Sequence, residues 1–144
     1  MTVQSYTYRD LGVSLLDAAI DLYLSGNFIP AIVLAGAAEE HLGGSHAKPD
    51  GEWNDDPRAH KQDARDYNLV YRHLFGDEHP RPWDAVNEIK NRAKHYNADP
   101  LIIDAEDEAY WMIDRANKNL CLDTGYFHPL IGQVDAAHRQ RLQP

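Results

Sequence analysis

An uninterrupted apolar segment from Phe28 to Ala38 limits the folds open to this chain more than any other feature. Its 11 residues are about half of the roughly 20 that a membrane-spanning helix needs. Pro30 lies in the first turn of the predicted helix, where its missing N–H has no partner to lose, and Gly43 predicts an end after Leu42. Because this helix is apolar on almost every face, we predict that it is the central and most buried one.

Four further segments space their apolar side chains at three and four residues, as amphipathic helices do. They are Leu16 to Leu24, residues 58–75, Trp83 to Tyr96, and the segment that begins after Asp104. The core stripe predicted for the last of these consists of Ala109, Met112, Ile113, Ala116 and Leu120. Gly26 and Gly125 follow two of the segments and suit the left-handed position beyond a helix end.

With no strand pattern and no internal repeat, the predicted fold class is all-α, an antiparallel bundle of four to five helices. We expect a single domain over residues 1–144, with its core at about 14–121. A polar loop is predicted at 43–57. Residues 122–144 are predicted to form a C-terminal arm that either packs or frays.

The composition restricts the classes of function. Fourteen Lys and Arg stand against 23 Asp and Glu, a formal net charge of −9. A globally acidic surface argues against broad, sequence-independent nucleic-acid binding but leaves room for a small basic pocket. The lone Cys121 excludes an internal disulfide framework or a Cys-rich zinc site. Since the N-terminus lacks the apolar core of a signal peptide, we expect a cytoplasmic protein without a membrane partner.

The common metal and cofactor patterns are missing from the sequence. No Glu is followed by His three positions later, as a di-iron bundle requires. The sequence contains neither His-Glu-x-x-His nor a Gly-rich loop before Lys-Ser/Thr. The acidic residues 50–56 lack the spacing of a calcium loop. We therefore predict no metal and no cofactor.

Positive charge is concentrated in the fourth predicted helix, in a motif segment at residues 90–95. The motif segment consists of Lys90, Asn91, Arg92, Ala93, Lys94 and His95. At about 100° per residue, Asn91 and His95 are neighbours on a face that points away from the core, and Lys90 and Arg92 flank the core stripe. The plainest interpretation is a solvated helix face with a Glu88–Arg92 pair. A function would require a second surface that turns this outward face into a cleft.

The motif segment resembles the signature of the HEPN superfamily (higher eukaryotes and prokaryotes nucleotide-binding domains). These all-helical bundles occur in RNases, toxin–antitoxin systems and anti-phage proteins. The signature is Arg, a polar residue (often Asn), three variable positions and His; here it runs from Lys90, in place of the Arg, to His95. Residues 26–40 resemble the family's early helix, and residues 114–120 resemble the helix after the motif in bacterial relatives. The resemblance covers about residues 14–121.

The resemblance implies an HEPN-like homodimer in which two motif copies face each other and cut RNA through its 2′-hydroxyl, without metal. His95 would be the general base or acid, because imidazole titrates near neutral pH. Asn91 would orient His95 or the scissile phosphate. Lys90 would hold phosphate charge without the planar fork of Arg, and Arg92 could compensate. Lys94 would add positive charge toward the substrate.

Glu39 is a further candidate for the substrate-binding site. It lies on the same helical stripe as Ile32 and Ala35, so its carboxylate points toward the bundle. One interpretation is a carboxylate in the last helical turn that reaches solvent or pairs with a Lys. The other is a carboxylate that pairs with a cation of the motif segment.

Trp111 is predicted to lie opposite the core stripe of the last core helix. An outward Trp is enriched at protein interfaces, and an aromatic ring can also stack on a base. We expect a dimer contact, because the nearby Asp107 and Asp114 would repel a phosphate backbone. This expectation depends on the loop and the C-terminal arm leaving Trp111 uncovered.

Three hypotheses follow. The first is a cytoplasmic, homodimeric, HEPN-like endoribonuclease of a defence or toxin–antitoxin system, with RNA and an antitoxin-like protein as partners. The second is a non-catalytic HEPN-like dimer that binds a nucleotide or a protein. The intact spacing of Asn91 and His95 favours the first, and Lys90 and the acidic surface favour the second. The third is an interaction protein whose motif helix is only a dimer surface.

Overall fold

The computed structural model describes residues 3–44, 83–95 and 98–143, and these residues are all-helical. Their five helices are α1 (Tyr8–Leu24), α2 (Phe28–Gly44), α3 (Trp83–Lys94), α4 (Ala105–Thr124) and α5 (Ile131–Arg141). The predicted helix at 58–75 and nearly all of the predicted loop at 43–57 lie outside the described residues.

Helix α1 begins eight residues before the predicted stripe at Leu16. The Thr7 hydroxyl accepts a hydrogen bond from the backbone N–H of Asp10, and the Asp10 carboxylate accepts one from the backbone N–H of Thr7. This reciprocal capping box starts the helix through polar contacts, which apolar periodicity does not register. The predicted end is confirmed, because Gly26 follows α1 in the left-handed region with φ of 81°.

Helix α2 lies at the centre of the packing, against α1, α3 and α4. It continues to Gly44, two residues beyond the predicted end at Leu42. A Cβ atom at Gly43 would lie 3.1 Å from Asn119 Nδ2, and this glycine therefore permits a close approach to α4. A Cβ atom at Gly12 of α1 would lie 2.6 Å from Leu42 Cγ. Small residues thus let both neighbours approach α2.

The core is one apolar cluster shared mainly by α1, α2 and α4. Its members are Leu16, Ala19, Ile20, Tyr23, Ala31, Ile32, Ala35, Ala38, Leu42, Ala109, Met112, Ile113, Ala116, Leu120 and Val134. All five residues of the stripe predicted for α4 are buried, which confirms that prediction. The N-cap Asp104 accepts a hydrogen bond from the backbone N–H of Asp107, and Gly125 ends α4 with φ of 80°.

Residues 131–141 of the predicted C-terminal arm form α5, which packs against α1 and α4. Val134 enters the core, and His138 is buried. Among the described residues, no helix is long and apolar enough to cross a membrane.

Candidate functional site

The motif segment occupies the last part of α3 and the residue after it. Asn91 and His95 are both exposed, as the helical geometry predicts. The backbone N–H of His95 donates to the Asn91 carbonyl at 3.0 Å, which continues the helical register to His95. The amide and the imidazole therefore belong to one outward face, one turn apart.

Lys90 lies on the inner side of α3 and is buried, with 6% of the residue exposed. Its aliphatic stem passes directly over Gly36 of α2: a Cβ atom at this glycine would lie 2.6 Å from Lys90 Cγ. The absence of a side chain at Gly36 therefore creates the channel through which Lys90 reaches the interior.

The buried ammonium of Lys90 meets two carboxylates. Lys90 Nζ donates to Glu39 Oε2 at 3.1 Å and lies 3.0 Å from Glu40 Oε1. The other oxygen of Glu39 accepts a hydrogen bond from Arg115 Nη2 at 2.8 Å, and Arg115 is 2% exposed. A buried cation requires such opposite charge, because burial without it disfavours the charged form. Glu39 thus pairs with a cation of the motif segment and also with one of α4.

Glu40 connects the same cluster to its exposed edge. Glu40 Oε1 accepts a hydrogen bond from Lys94 Nζ at 3.2 Å, and the Glu40 side chain is 53% exposed. Burial by itself would raise the pKa of Glu40, but the hydrogen bonds and positive charges of Lys90 and Lys94 outweigh it and lower the pKa below its usual 4.5. We call this group the ion-pair cluster. It consists of Glu39, Glu40, Lys90, Lys94 and Arg115.

Arg92 is directed elsewhere. Its Nη2 atom donates to the carbonyls of Asp99 and Pro100 at 3.2 and 3.1 Å. The predicted partner Glu88 lies one helical turn earlier, with Glu88 Oε1 3.9 Å from Arg92 Nη1. Arg92 therefore holds the chain that follows α3, and its guanidinium is separate from the ion-pair cluster.

Sequence reasoning missed Glu40 and Arg115. Arg115 lies on one flank of α4 together with the buried residues Glu108 and Asn119, at spacings of seven and four residues. Asn119 Nδ2 donates to the Glu39 carbonyl at 3.1 Å, so this polar flank also holds the backbone of α2. The sequence signal that could have identified Arg115 is a stripe of polar residues at helical spacing beside the apolar stripe of α4. Such a polar stripe has the same pattern as the solvent-exposed border of an amphipathic helix.

Trp111 lies one helical turn before Arg115 on α4 and contacts α5. It is half-buried, and its ring meets His138 edge-on at a centroid distance of 6.4 Å. His138 stacks on Tyr110 at 3.8 Å, and Tyr110 Oη donates to Asp135 at 3.2 Å. The C-terminal helix therefore covers part of Trp111, so the condition that the C-terminal arm leaves this residue uncovered is only partly met. Its role as a dimer contact stays a prediction.

The described residues include no group of three or more His, Cys, Asp or Glu side chains placed to hold a metal ion. No family model, curated protein or solved structure matches the chain. The resemblance of this chain to the HEPN superfamily is therefore a prediction, and it rests on residues 26–40, 90–95 and 114–120 alone.

Proposed function

We propose that this chain is an HEPN-like protein whose homodimer cleaves RNA without a metal ion, in the cytoplasm, as part of a defence or toxin–antitoxin system. The observation that carries the proposal is the exposed Asn91–His95 face, one turn apart on α3 and next to the ion-pair cluster. A neutral amide and an imidazole on one accessible face are suited to binding a phosphate and moving a proton.

The reaction follows from the chemistry of RNA. A general base takes the proton of a 2′-hydroxyl, and the 2′-oxygen forms a bond to the adjacent phosphorus. The bond from phosphorus to the 5′-oxygen breaks, and a general acid gives this oxygen its proton. Two imidazoles at opposite sides of the phosphate provide both groups, which is why the proposal requires His95 from each of two protomers.

The other residues of the motif segment have supporting roles in this proposal. Asn91 orients the imidazole or the scissile phosphate. Lys94 and Lys90 supply positive charge beside the cleavage position, with Lys90 held from inside by Glu39. Arg92 shapes the exit of α3 through its two carbonyl contacts.

The homodimer is part of the proposal because one outward helix face does not enclose a phosphate. Trp111 is proposed as a contact at the dimer interface. Size-exclusion chromatography with light scattering tests this step at micromolar concentration. A monomer under these conditions would remove the composite site.

The cleavage test uses purified protein, mixed RNA and excess EDTA. Wild-type protein and the His41→Ala variant should cleave, whereas His95→Ala should lose at least about a hundredfold in rate, as expected for removal of a general acid or base. His41 is the matched control, because it is a histidine of α2 whose ring contacts Tyr8 of α1. Equal cleavage by all three proteins would identify a contaminant, and cleavage by none would contradict the proposal.

A second candidate function is a non-catalytic HEPN-like dimer that binds a nucleotide or a protein such as an antitoxin. The specific observation in its favour is the burial of Lys90, whose ammonium is already paired with Glu39 and Glu40. RNA or nucleotide binding that is retained in His95→Ala, with no cleavage by the wild type, would support this candidate over the nuclease.

A further inference from the structure

One carboxylate oxygen of the ion-pair cluster lies between two ammonium groups. Glu40 Oε1 is 3.0 Å from Lys90 Nζ and 3.2 Å from Lys94 Nζ. An anionic oxygen shared by two lysines is the arrangement that a phosphate oxygen adopts in a lysine-lined site. The position of Glu40 Oε1 therefore marks a place where these two lysines bind an anion.

The two carboxylates of the cluster are not held equally. Glu39 is enclosed, with one oxygen on Lys90 and the other on the buried Arg115. Glu40 is half exposed, and the contacts described for its carboxylate are both made by one oxygen, to the two lysines. Glu40 can rotate into solvent while Glu39 keeps Lys90 in place.

Charge favours an incoming anion once Glu40 leaves. Of the two carboxylates described in contact with Lys90 and Lys94, only Glu39 remains once Glu40 has left, and it contacts Lys90. The side chains of Lys90 and Lys94 are only 8% and 18% exposed, so part of their contact with a ligand occurs away from bulk water, where a charge-assisted hydrogen bond is stronger.

The helix places this position next to the outward face. Lys90 and Lys94 are about 40° apart around α3, and His95 follows Lys94 at about 100°. A single strand of RNA that crosses α3 can therefore place one phosphate at the two lysines and a neighbouring one at Asn91 and His95.

We propose that Lys90 and Lys94 form a phosphate-binding subsite for an RNA strand, which Glu40 occupies in the free protein and leaves when RNA binds. The subsite rests on the proposed function for its ligand, since that function supplies RNA as the substrate. It adds a gating carboxylate, Glu40, that the HEPN-like motif segment does not contain.

The test measures binding of a fluorescent 2′-O-methyl RNA, which lacks the attacking hydroxyl and cannot be cleaved. Fluorescence anisotropy across a series of salt concentrations should show Glu40→Gln binding on the order of tenfold more tightly than wild type. The slope of log affinity against log salt should stay close to that of wild type, because both proteins contact the same phosphates once Glu40 has left the subsite.

Two matched variants exclude a general effect of charge. Glu106→Gln, in the first turn of α4, makes the same change in net charge and removes one of the two carboxylates that contact Arg141 of α5. This variant should bind within about twofold of wild type. Adding Lys94→Gln to Glu40→Gln should abolish the gain. Three results would overturn the subsite. They are an equal increase in RNA affinity in Glu40→Gln and Glu106→Gln, no increase in affinity in either variant, and no RNA binding by any variant.

The outcome separates this inference from the proposed function, because the probe reports binding alone. If Glu40→Gln binds the RNA probe more tightly and no protein cleaves ordinary RNA, the subsite is supported and the nuclease proposal is rejected. Cleavage that depends on His95, with no gain in Glu40→Gln, would retain the nuclease and reject the subsite.

Discussion

The contact between α2 and α4 has an apolar part and a charged part, and the two are built by different rules. In the apolar part, Ile32 and Ala35 of α2 belong to the same buried cluster as Met112 and Ile113 of α4. In the charged part, one turn further along α2, Glu39 receives Arg115 from α4 and Lys90 from α3. The apolar part needs only volume and shape, whereas the charged part needs every partner present.

This difference indicates what each part contributes. Apolar packing is non-directional and supplies most of the free energy of folding. A buried ion pair contributes little net stability, because desolvation offsets attraction, but losing one partner leaves a buried charge unpaired. The charged part therefore positions α3 together with the apolar contacts of Ile89 and Ala93, and the position of α3 sets the direction of the Asn91–His95 face.

The largest expected effect comes from Glu39→Gln. Arg115 would lose this carboxylate while it stays buried, and Lys90 would keep only its contact with the half-exposed Glu40. We therefore expect the free energy of unfolding to fall by about 3 to 5 kcal/mol. Urea denaturation followed by circular dichroism measures this change. A loss below about 1 kcal/mol would show that α2, α3 and α4 do not depend on the charged part.

Ile32→Ala tests the apolar part at the same interface. It removes a fully buried side chain, and the cavity should lower the free energy of unfolding by about 2 to 5 kcal/mol. The loss in Ile32→Ala should stay the same when the salt concentration is raised, because no charge is involved. A loss that changes with salt would contradict an apolar origin of this contact.

Gly36→Ala should have a smaller effect, of about 1 to 3 kcal/mol, by forcing the Lys90 stem out of its channel. Gly132→Ala is the matched control, because a Cβ atom there meets nothing within 4 Å and alanine favours a helix. Thermal unfolding of both variants gives the comparison. If Gly36→Ala were as stable as Gly132→Ala, the close approach between Lys90 and α2 would be incorrect.

The smallest effect concerns pH and Glu40. Since folding lowers the pKa of this carboxyl, its contribution to stability is present above the usual 4.5 and is lost as the pH falls through the lower folded value. We expect less than about 1 kcal/mol, because the side chain is half exposed. The stability difference between wild type and Glu40→Gln, from urea denaturation, should shrink as the pH falls below the usual pKa of 4.5. A constant difference would contradict the pairing with Lys90 and Lys94.

Much of the fold was predictable because its signals are local. The stripe of α4, the glycine after α1 and the N-cap at Asp104 each depend on residues within a few positions of one another. The outward direction of Asn91 and His95 follows from helical spacing in the same way. The start of α1 was missed because its capping box is polar, although it is equally local.

The ion-pair cluster was only partly predictable. Glu39 was recognised as pointing inward, but Arg115 and Glu40 resembled ordinary charged positions. Their partners lie 76 and 50 residues away, counted from Arg115 to Glu39 and from Glu40 to Lys90. Periodicity within one helix shows that a charged residue lies beside the core stripe, but it does not show whether an opposite charge on another helix meets it there.

The apolar segment from Phe28 to Ala38 and the stripes around it were therefore enough, by themselves, to specify an all-α chain with α2 at its centre. The tertiary structure decided that Lys90 is buried across Gly36, that Glu39 joins α3 to α4, and that Glu40 occupies the gap between two lysines. The physical reason is the sequence distance over which each interaction acts. Helix formation and amphipathicity are set by near neighbours, whereas the burial of a charge is possible only when the fold supplies its counter-charge.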